Sequence, residues 1–198
     1  MFKNLKKLKL LQSYYNEVEA LIERVKVLES SNESRKYVLD FSNDSNNDNP
    51  DFAHKTDSGF DLRAWITKDD PDAILDEKNN KYYIELSSLE HRLINTGLKF
   101  ALKEGTELQV RPRSGLANDK GITVLNTPGT VDSGYRGYVK VNLCNISKKK
   151  VKIYCGDRIA QGVIMDVYTG NDFKFHKLKK IENNTDRGEK GIGSSGVK

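Results

Sequence analysis

Cysteine and histidine are scarce in this chain. Two cysteines and three histidines stand among 198 residues, no CxxC pair occurs, and the histidines do not cluster, so neither a zinc site nor a disulfide framework is expected. Cys144 and Cys155 lie in apolar, strand-like surroundings, where reduced and buried thiols are the expectation. Long apolar runs are also missing. Nothing approaches the roughly 20 residues that a membrane-spanning helix needs, and the N-terminus has no continuous hydrophobic core of the signal-peptide kind. A cytoplasmic protein with no membrane role follows as the expectation. Nor does charge point to nucleic acid. The net charge of +5 permits an anionic partner, but the lysines fall in short clusters, Lys148 to Lys150 and Lys177 to Lys180, suited to solvated turns and strand ends.

With 36% hydrophobic residues, the chain has room for one domain with a proper core and an appendage. The appendage comes first. Leu11, Tyr14, Val18, Leu21, Val25 and Leu28 recur at alternating steps of three and four, the seam positions of a short heptad repeat. Residues 1–35 are therefore expected as an amphipathic helix, either a self-association seam or a packing extension. Tyr37 to Phe41 reads as a first strand. Asn43 to Asp51 is rich in turn formers and reads as a loop or mobile linker. Strands then dominate: Gly59 to Ile66, Tyr82 to Leu86, His91 to Phe100, Glu107 to Arg113, Val139 to Asn145, Val151 to Tyr154, Ile159 to Tyr168 and Phe173 to Lys177. A charged insertion between Lys68 and Lys81 suits a surface hairpin or loop. Many short strands with glycine and proline turns argue for a sandwich, jelly roll or small barrel over residues 36–182. Residues 183–198, with five glycines and serines between Gly191 and Gly196, cannot build a core and read as a flexible arm.

The most informative stretch is NTPGTVDSGYRGYVKVN, Asn126 to Asn142. Pro128, Gly129, Gly134 and Gly137 punctuate it, while Val139, Val141 and Leu143 alternate with Lys140 and Asn142, the period of a half-buried strand. A β-hairpin is predicted, with glycines that let a ligand approach bare backbone as a neighbouring strand would. A planar pyrimidine edge suits such a slot. Asp132 and Tyr135, three residues apart, bring a carboxylate and a ring to one pocket; alternatively, the Asp only stabilises its own turn.

Four further stretches make sense beside a phosphorylated ligand. DSGFDLRA places Asp61 beside Gly59 at a strand start, where a carboxylate can orient waters on a divalent cation. RPRSGLA offers the Arg113 guanidinium, the Ser114 hydroxyl and the amides of Ser114 and Gly115 before a helical turn, the makings of an anion nest. GDRIAQG contributes Gln161, with Asp157 and Arg158 read as a structural pair in a turn. RGEKGIGSSG joins Arg187 to a glycine and serine loop of the sort that wraps phosphates.

In this order, the five segments resemble the five motifs of the trimeric deoxyuridine triphosphate nucleotidohydrolases, the dUTPases, over about residues 36 to 197. The resemblance implies a mainly β fold, a distorted jelly-roll β-barrel preceded by an N-terminal α-helix. It implies a homotrimer with active sites shared between subunits, and Mg2+-dependent hydrolysis of dUTP to dUMP and pyrophosphate, which limits uracil in DNA and supplies dUMP for dTMP synthesis. By resemblance, Asp132 is the general base for the water that attacks the α-phosphorus, and Tyr135 lies against the deoxyribose and rejects a 2′-hydroxyl. Asn126, the backbone of Thr130, Val131 and Asp132, and the returning strand at Lys140 read uracil. Arg113, Ser114, Gly115 and Gln161 are similar to phosphate contacts, and Asp61 to an acid that supports the metal through water. Arg187, Gly191, Ile192, Gly193, Ser194 and Ser195 belong to the arm that closes over the site.

Three departures stand out. Ile192 replaces the usual phenylalanine of the arm, so the base loses an aromatic partner worth about a kcal/mol; Gly162 replaces a bulkier aliphatic residue; and Tyr138 replaces a smaller or polar one. A dCTP deaminase-like enzyme of the same fold, and a phage-type dUTPase that also acts as a regulatory protein-binding factor, are the alternatives. No nucleic-acid partner is expected.

Overall fold

The structure is a computed structural model that describes residues 14–19, 21–23 and 38–191. The chain divides after Asp40 into an N-terminal unit and a unit beginning at Phe41. In the first, residues 14–19 and 21–23 are helical, and Tyr14, Val18 and Leu21 of the apolar stripe are exposed. Leu11, Val25, Leu28 and Tyr37 lie outside the described residues, as do Ile192, Gly193, Ser194 and Ser195.

Twelve strands are found among the described residues: β1 (Asp40–Asn43), β2 (Phe60–Arg63), β3 (Ile74–Asp76), β4 (Lys81–Leu86), β5 (His91–Asn95), β6 (Leu98–Ala101), β7 (Thr106–Arg111), β8 (Ile122–Val124), β9 (Gly129–Asp132), β10 (Lys140–Asn145), β11 (Val151–Tyr154) and β12 (Arg158–Asp166). They form four small sheets in the orders β1-β6, β5-β10-β8, β11-β4-β3 and β2-β12-β7-β9. The fold is mainly β, as expected. Period-two patterning explains which face turns inward. On β7, Thr106, Leu108 and Val110 are buried while Glu107, Gln109 and Arg111 point outward and hydrogen-bond in a row, Gln109 to Glu107 at 2.6 Å and Arg111 to Gln109 at 2.6 Å. On β10, Val141 and Leu143 are fully buried, as are Leu62, Leu86, Ile94, Leu108, Ile153 and Ile159 on other strands. Each such side chain contributes about 1.5 to 3 kcal/mol by leaving water.

Several expectations need correction. The expected strand from His91 to Phe100 is two strands, because Gly97 takes φ 76° between them and its Cα faces Ser45 so closely that a Cβ would lie 2.6 Å from the serine Cβ. Phe173 to Lys177 is not a strand. The backbone instead turns at Thr169, whose hydroxyl and backbone amide both bond Asp172 in a capping box before a short 3-10 turn, Gly170–Asp172. The charged insertion does form a hairpin, β3 with β4, in the register Asp76↔Lys81. Asn43 ends β1, and Asp44 to Asp51 is a loop whose polar side chains are tied down: Asn47 Nδ2 donates to the Ala64 carbonyl at 3.0 Å, and Asp48 pairs with Arg63 at 3.1 Å. Both cysteines are free, with Cys144 buried and Cys155 only half-buried. Gly162 has a packing reason: a Cβ there would lie 2.8 Å from Phe60 Cζ and 2.9 Å from Leu108 Cδ1, so two core side chains already fill the space.

Candidate active site

The polar face of the four-stranded sheet carries one half of the site. Asp61 on β2 lies in register with Gln161 on β12, and Gln161 with Arg111 at the end of β7. Two residues beyond β7 the chain turns into the helix Ser114–Lys120, with Arg113 as its extended N-cap residue. These elements line a cleft of about 330 Å³ that includes Asp57, Ser58, Gly59, Asp61, Arg113, Ser114, Gly115, Arg158 and Gln161. The cleft thus brings together every phosphate-site residue predicted from the first, second and fourth motifs.

Asp61 organises it. One carboxylate oxygen takes Arg113 Nε at 2.8 Å and the other takes Arg158 Nη1 at 3.3 Å. Asp61 with its two arginines carries one net positive charge, which Asp57 in the same lining balances, and Arg113 Nη1 donates to the Arg158 carbonyl at 3.3 Å, so an anion would be met by the guanidinium N–H groups that these contacts leave over. Gln161 Nε2 donates to the Pro112 carbonyl at 2.8 Å, which fixes the turn that presents Arg113. Gly59 makes room for it, since a Cβ there would lie 2.6 Å from Gln161 Oε1.

The sequence reads Arg158 as half of a structural pair with Asp157. The structural reading holds for Asp157, which accepts the Tyr154 N–H at 3.0 Å. Arg158 instead faces the cleft. Strict alternation along β12 would put Arg158 on the face opposite Gln161; the register shift between Arg158 and Ala160 brings both to the cleft, and no local sequence signal marks it.

The other half of the site lies between β8 and β10. The predicted hairpin exists with different arms: β9 pairs with β7, whereas β8 and β10 pair with each other and enclose residues 125–139 as a wide loop. Pairing ends with Leu125 N–H on the Asn142 carbonyl at 2.8 Å. Beyond it, Val139 turns its N–H to Leu98 and its carbonyl to Thr96, so by the alternation of an antiparallel ladder Lys140 directs its own N–H and C=O into the open mouth between the arms. Asn126 stands exposed at that mouth, its Nδ2 3.2 Å from where a Gly129 Cβ would be. Thr127–Pro128 is a cis peptide.

Asp132 closes β9, exposed, with Thr130 exposed and Val131 half-buried before it. Tyr135 N–H bonds the Asp132 carbonyl at 3.0 Å in a tight turn. The Tyr135 ring is 46% exposed, and its hydroxyl donates to the Tyr138 carbonyl at 3.0 Å. The phenol lies across Gly137, where a Cβ would overlap its oxygen. Carboxylate and ring therefore share one turn.

The two halves are not adjacent within one copy. Asp132 is in register with Glu107 on β7 and Gln161 with Arg111; four residues along the strand and two strand spacings across put their Cα atoms about 16 Å apart. Arg187 joins neither half. It is exposed and donates to the Lys190 carbonyl at 3.2 Å, and Gly191 is exposed beside it. Among the described residues no three acidic, histidine or cysteine side chains gather as a metal cage, and no helix is long and apolar enough to cross a membrane.

A mainly β chain with an arginine-lined anion cleft and a base-sized mouth beside a carboxylate is of the class that handles nucleoside polyphosphates. The comparisons with known proteins narrow the class. A family model described as dUTPase matches residues 47–196. Among curated relatives, the deoxyuridine 5'-triphosphate nucleotidohydrolase of Treponema denticola is 45% identical over 75% of this chain and 90% of its own length, and that of Fusobacterium nucleatum 42% identical over 74% and 88%. The chain belongs to the dUTPase family. Among solved structures, the dUTPase of Staphylococcus bacteriophage 80alpha with dUPNHPP aligns at TM-score 0.66 and 24% identity, over 82% of this chain and all of its own, and the dUTPase of phage phi11 at 0.59 and 20%, over 74% and 99%. At those identities the likeness shows the shared fold.

Proposed function

We propose that this chain hydrolyses dUTP to dUMP and pyrophosphate, with Asp132 as the general base for a water that attacks the α-phosphorus. The observation that carries the reading is the joint position of Asp132 and Tyr135 in one turn beside a strand mouth with free backbone groups. The open mouth offers Lys140 backbone groups and the Asn126 amide to a planar edge, which suits the alternating acceptors and donor of uracil. A 4-amino group would meet mismatched partners, and a 5-methyl group would meet strand backbone. Tyr135 would lie against the deoxyribose and leave no room for a 2′-hydroxyl. Asp132, exposed and acceptor-only when ionised, can orient a water and take its proton.

The triphosphate would occupy the cleft of Arg113, Ser114, Gly115, Gln161 and Arg158. Since about 16 Å separates that cleft from Asp132 in one copy by the strand arithmetic, one α-phosphorus cannot satisfy both, so a second copy supplies the missing half. This supports a closed homo-oligomer, and the resemblance favours a trimer. The residues fit magnesium only as an ion that keeps its waters and rides on the phosphates. Both Asp61 oxygens hold arginines yet each retains a lone pair for a water, so Asp61 would touch the ion indirectly. When bound, the ion neutralises charge on the phosphates. Arg113 and Arg158 orient them, and Arg187, Gly191, Ile192, Gly193, Ser194 and Ser195 would close over them and exclude water.

The test is pyrophosphate release from dUTP, dCTP, dTTP and UTP, with and without magnesium, by wild type and Asp132→Asn, with ammonia release from dCTP measured alongside. Strong dUTP preference that is lost in the variant is expected. Equal turnover of all four nucleotides, or ammonia from dCTP, would exclude the assigned pocket.

A further inference from the structure

We propose that Tyr138 is a positioning residue for sugar selection: clamped by Asp44, Lys99 and Trp65, it holds through its own carbonyl the Tyr135 ring that faces the deoxyribose. The inference rests on the role given to Tyr135 above and extends it to a side chain outside the cleft and the mouth.

The clamp is closed on three sides. The Tyr138 hydroxyl donates to Asp44 Oδ2 at 2.5 Å. The Lys99 ammonium reaches the same oxygen at 2.9 Å and stands 4.1 Å above the centre of the Tyr138 ring. Trp65 meets that ring edge to face, with centroids 5.7 Å apart. Asp44 is itself held by its backbone N–H on the Gly97 carbonyl at 2.9 Å. The Tyr138 hydroxyl and the Lys99 ammonium keep the Asp44 carboxyl below its ordinary range, and Asp44 and the phenol keep Lys99 above its own, so the pair stays charged at neutral pH.

The backbone carries the restraint to Tyr135. Val139 N–H is committed to the Leu98 carbonyl at 2.8 Å, and the Val139 carbonyl accepts from Thr96 N–H at 3.2 Å and Thr96 Oγ1 at 2.7 Å. Within a trans peptide the C=O and N–H point in opposite directions. Fixing Val139 N–H toward Leu98 therefore aims the Tyr138 carbonyl the other way, toward the Tyr135 hydroxyl that donates to it at 3.0 Å. One end of this peptide unit is held by the strand and the other by the Tyr138 side chain. Loss of the side chain releases the Cα end of the unit, which can then swing on the end held by the strand and shift the Tyr138 carbonyl, and with it the tilt of the Tyr135 ring. A tilted ring binds deoxyribose less well and leaves space for a 2′-hydroxyl, so the loss appears in substrate binding and selectivity rather than in the chemical step.

The experiment measures kcat and KM for dUTP and UTP in wild type, Tyr138→Ala, Tyr138→Phe, Asp44→Ala and Tyr135→Ala, with a thermal melt of each. Tyr138→Ala is expected to raise the KM for dUTP about five- to tenfold with kcat held within about twofold, and to lower the dUTP over UTP preference about tenfold. Tyr138→Phe keeps the ring under Lys99 and against Trp65 and should recover most of both. Asp44→Ala, on an exposed loop, removes both the hydroxyl's acceptor and the anchor that holds Lys99 over the ring, so it should move the same two quantities in the same direction, by more than Tyr138→Phe, even if Tyr138→Ala does not fold. A folded Tyr138→Ala or Asp44→Ala with wild-type KM and preference overturns the inference while Tyr135→Ala is impaired. An unimpaired Tyr135→Ala overturns the site reading and this inference together.

Discussion

Complementation between two defective variants tests the geometry most directly. Asp132→Asn removes the proposed base and should lower kcat by on the order of 10²- to 10⁴-fold. Arg113→Ala removes one guanidinium from the anion cleft, a charge-assisted contact worth about 1.5 to 3 kcal/mol, or roughly 10- to 100-fold. Each variant alone therefore keeps about a tenth of wild-type activity or less. The register arithmetic puts Asp132 about 16 Å from Gln161, which shares the cleft with Arg113, so under the shared-site proposal a working site takes Asp132 from one copy and Arg113 from another. In an equimolar mixture that assembles at random, half the copies retain Asp132 and the other half retain Arg113. The chance that a site receives both intact is one half times one half, so about a quarter of wild-type activity returns. The two variants are unfolded, mixed, refolded together and assayed for pyrophosphate release, with each refolded alone as the control. If both residues served one site from the same chain, every site would carry one defect and the mixture would run at the mean of its parents. That result would refute the shared site.

Three further outcomes follow from packing and charge. Gly162→Ala forces a methyl between Phe60 and Leu108 and should cost about 1 to 3 kcal/mol, read as a lower urea midpoint; an unchanged midpoint would show that the core yields there. Gly137→Ala pushes on the Tyr135 hydroxyl and should raise the KM for dUTP with an unchanged melt, so wild-type kinetics would argue against the tight turn. Asp44, held down by Tyr138 and then Lys99, Asp76 by the Asn79 amide, and Glu90 by the Ser87 N–H and then Arg92, all have lowered carboxyl pKa values. A carboxyl lowered on folding contributes stability above its unfolded value and loses it as pH falls through its folded value, so the urea midpoint should be level from about pH 7 to 5 and fall between about 4.5 and 3. A midpoint unchanged down to pH 3 would exclude these contacts in solution.

Sequence by itself determined the mainly β fold, most strands, and the residue types of both half-sites. Alternation is local, so Leu108 and Val110 on β7 and Val141 and Leu143 on β10 were legible as inward-facing from neighbours along the chain. Asp132 and Tyr135 share one tight turn, and Ser114 and Gly115 begin one helix; short-range spacing was enough for each. Tertiary structure alone decided what depends on distant partners. Gly97 splits a strand because Ser45 approaches it, and β9 leaves the expected hairpin because β7 offers it a ladder. Arg158 turns to Asp61 from 97 positions away, and Tyr138 is locked by an aspartate 94 positions before it. The separation of Asp132 from Arg113 is likewise a product of strand order, since a chain brings chemistry together by sheet register and only secondarily by sequence spacing.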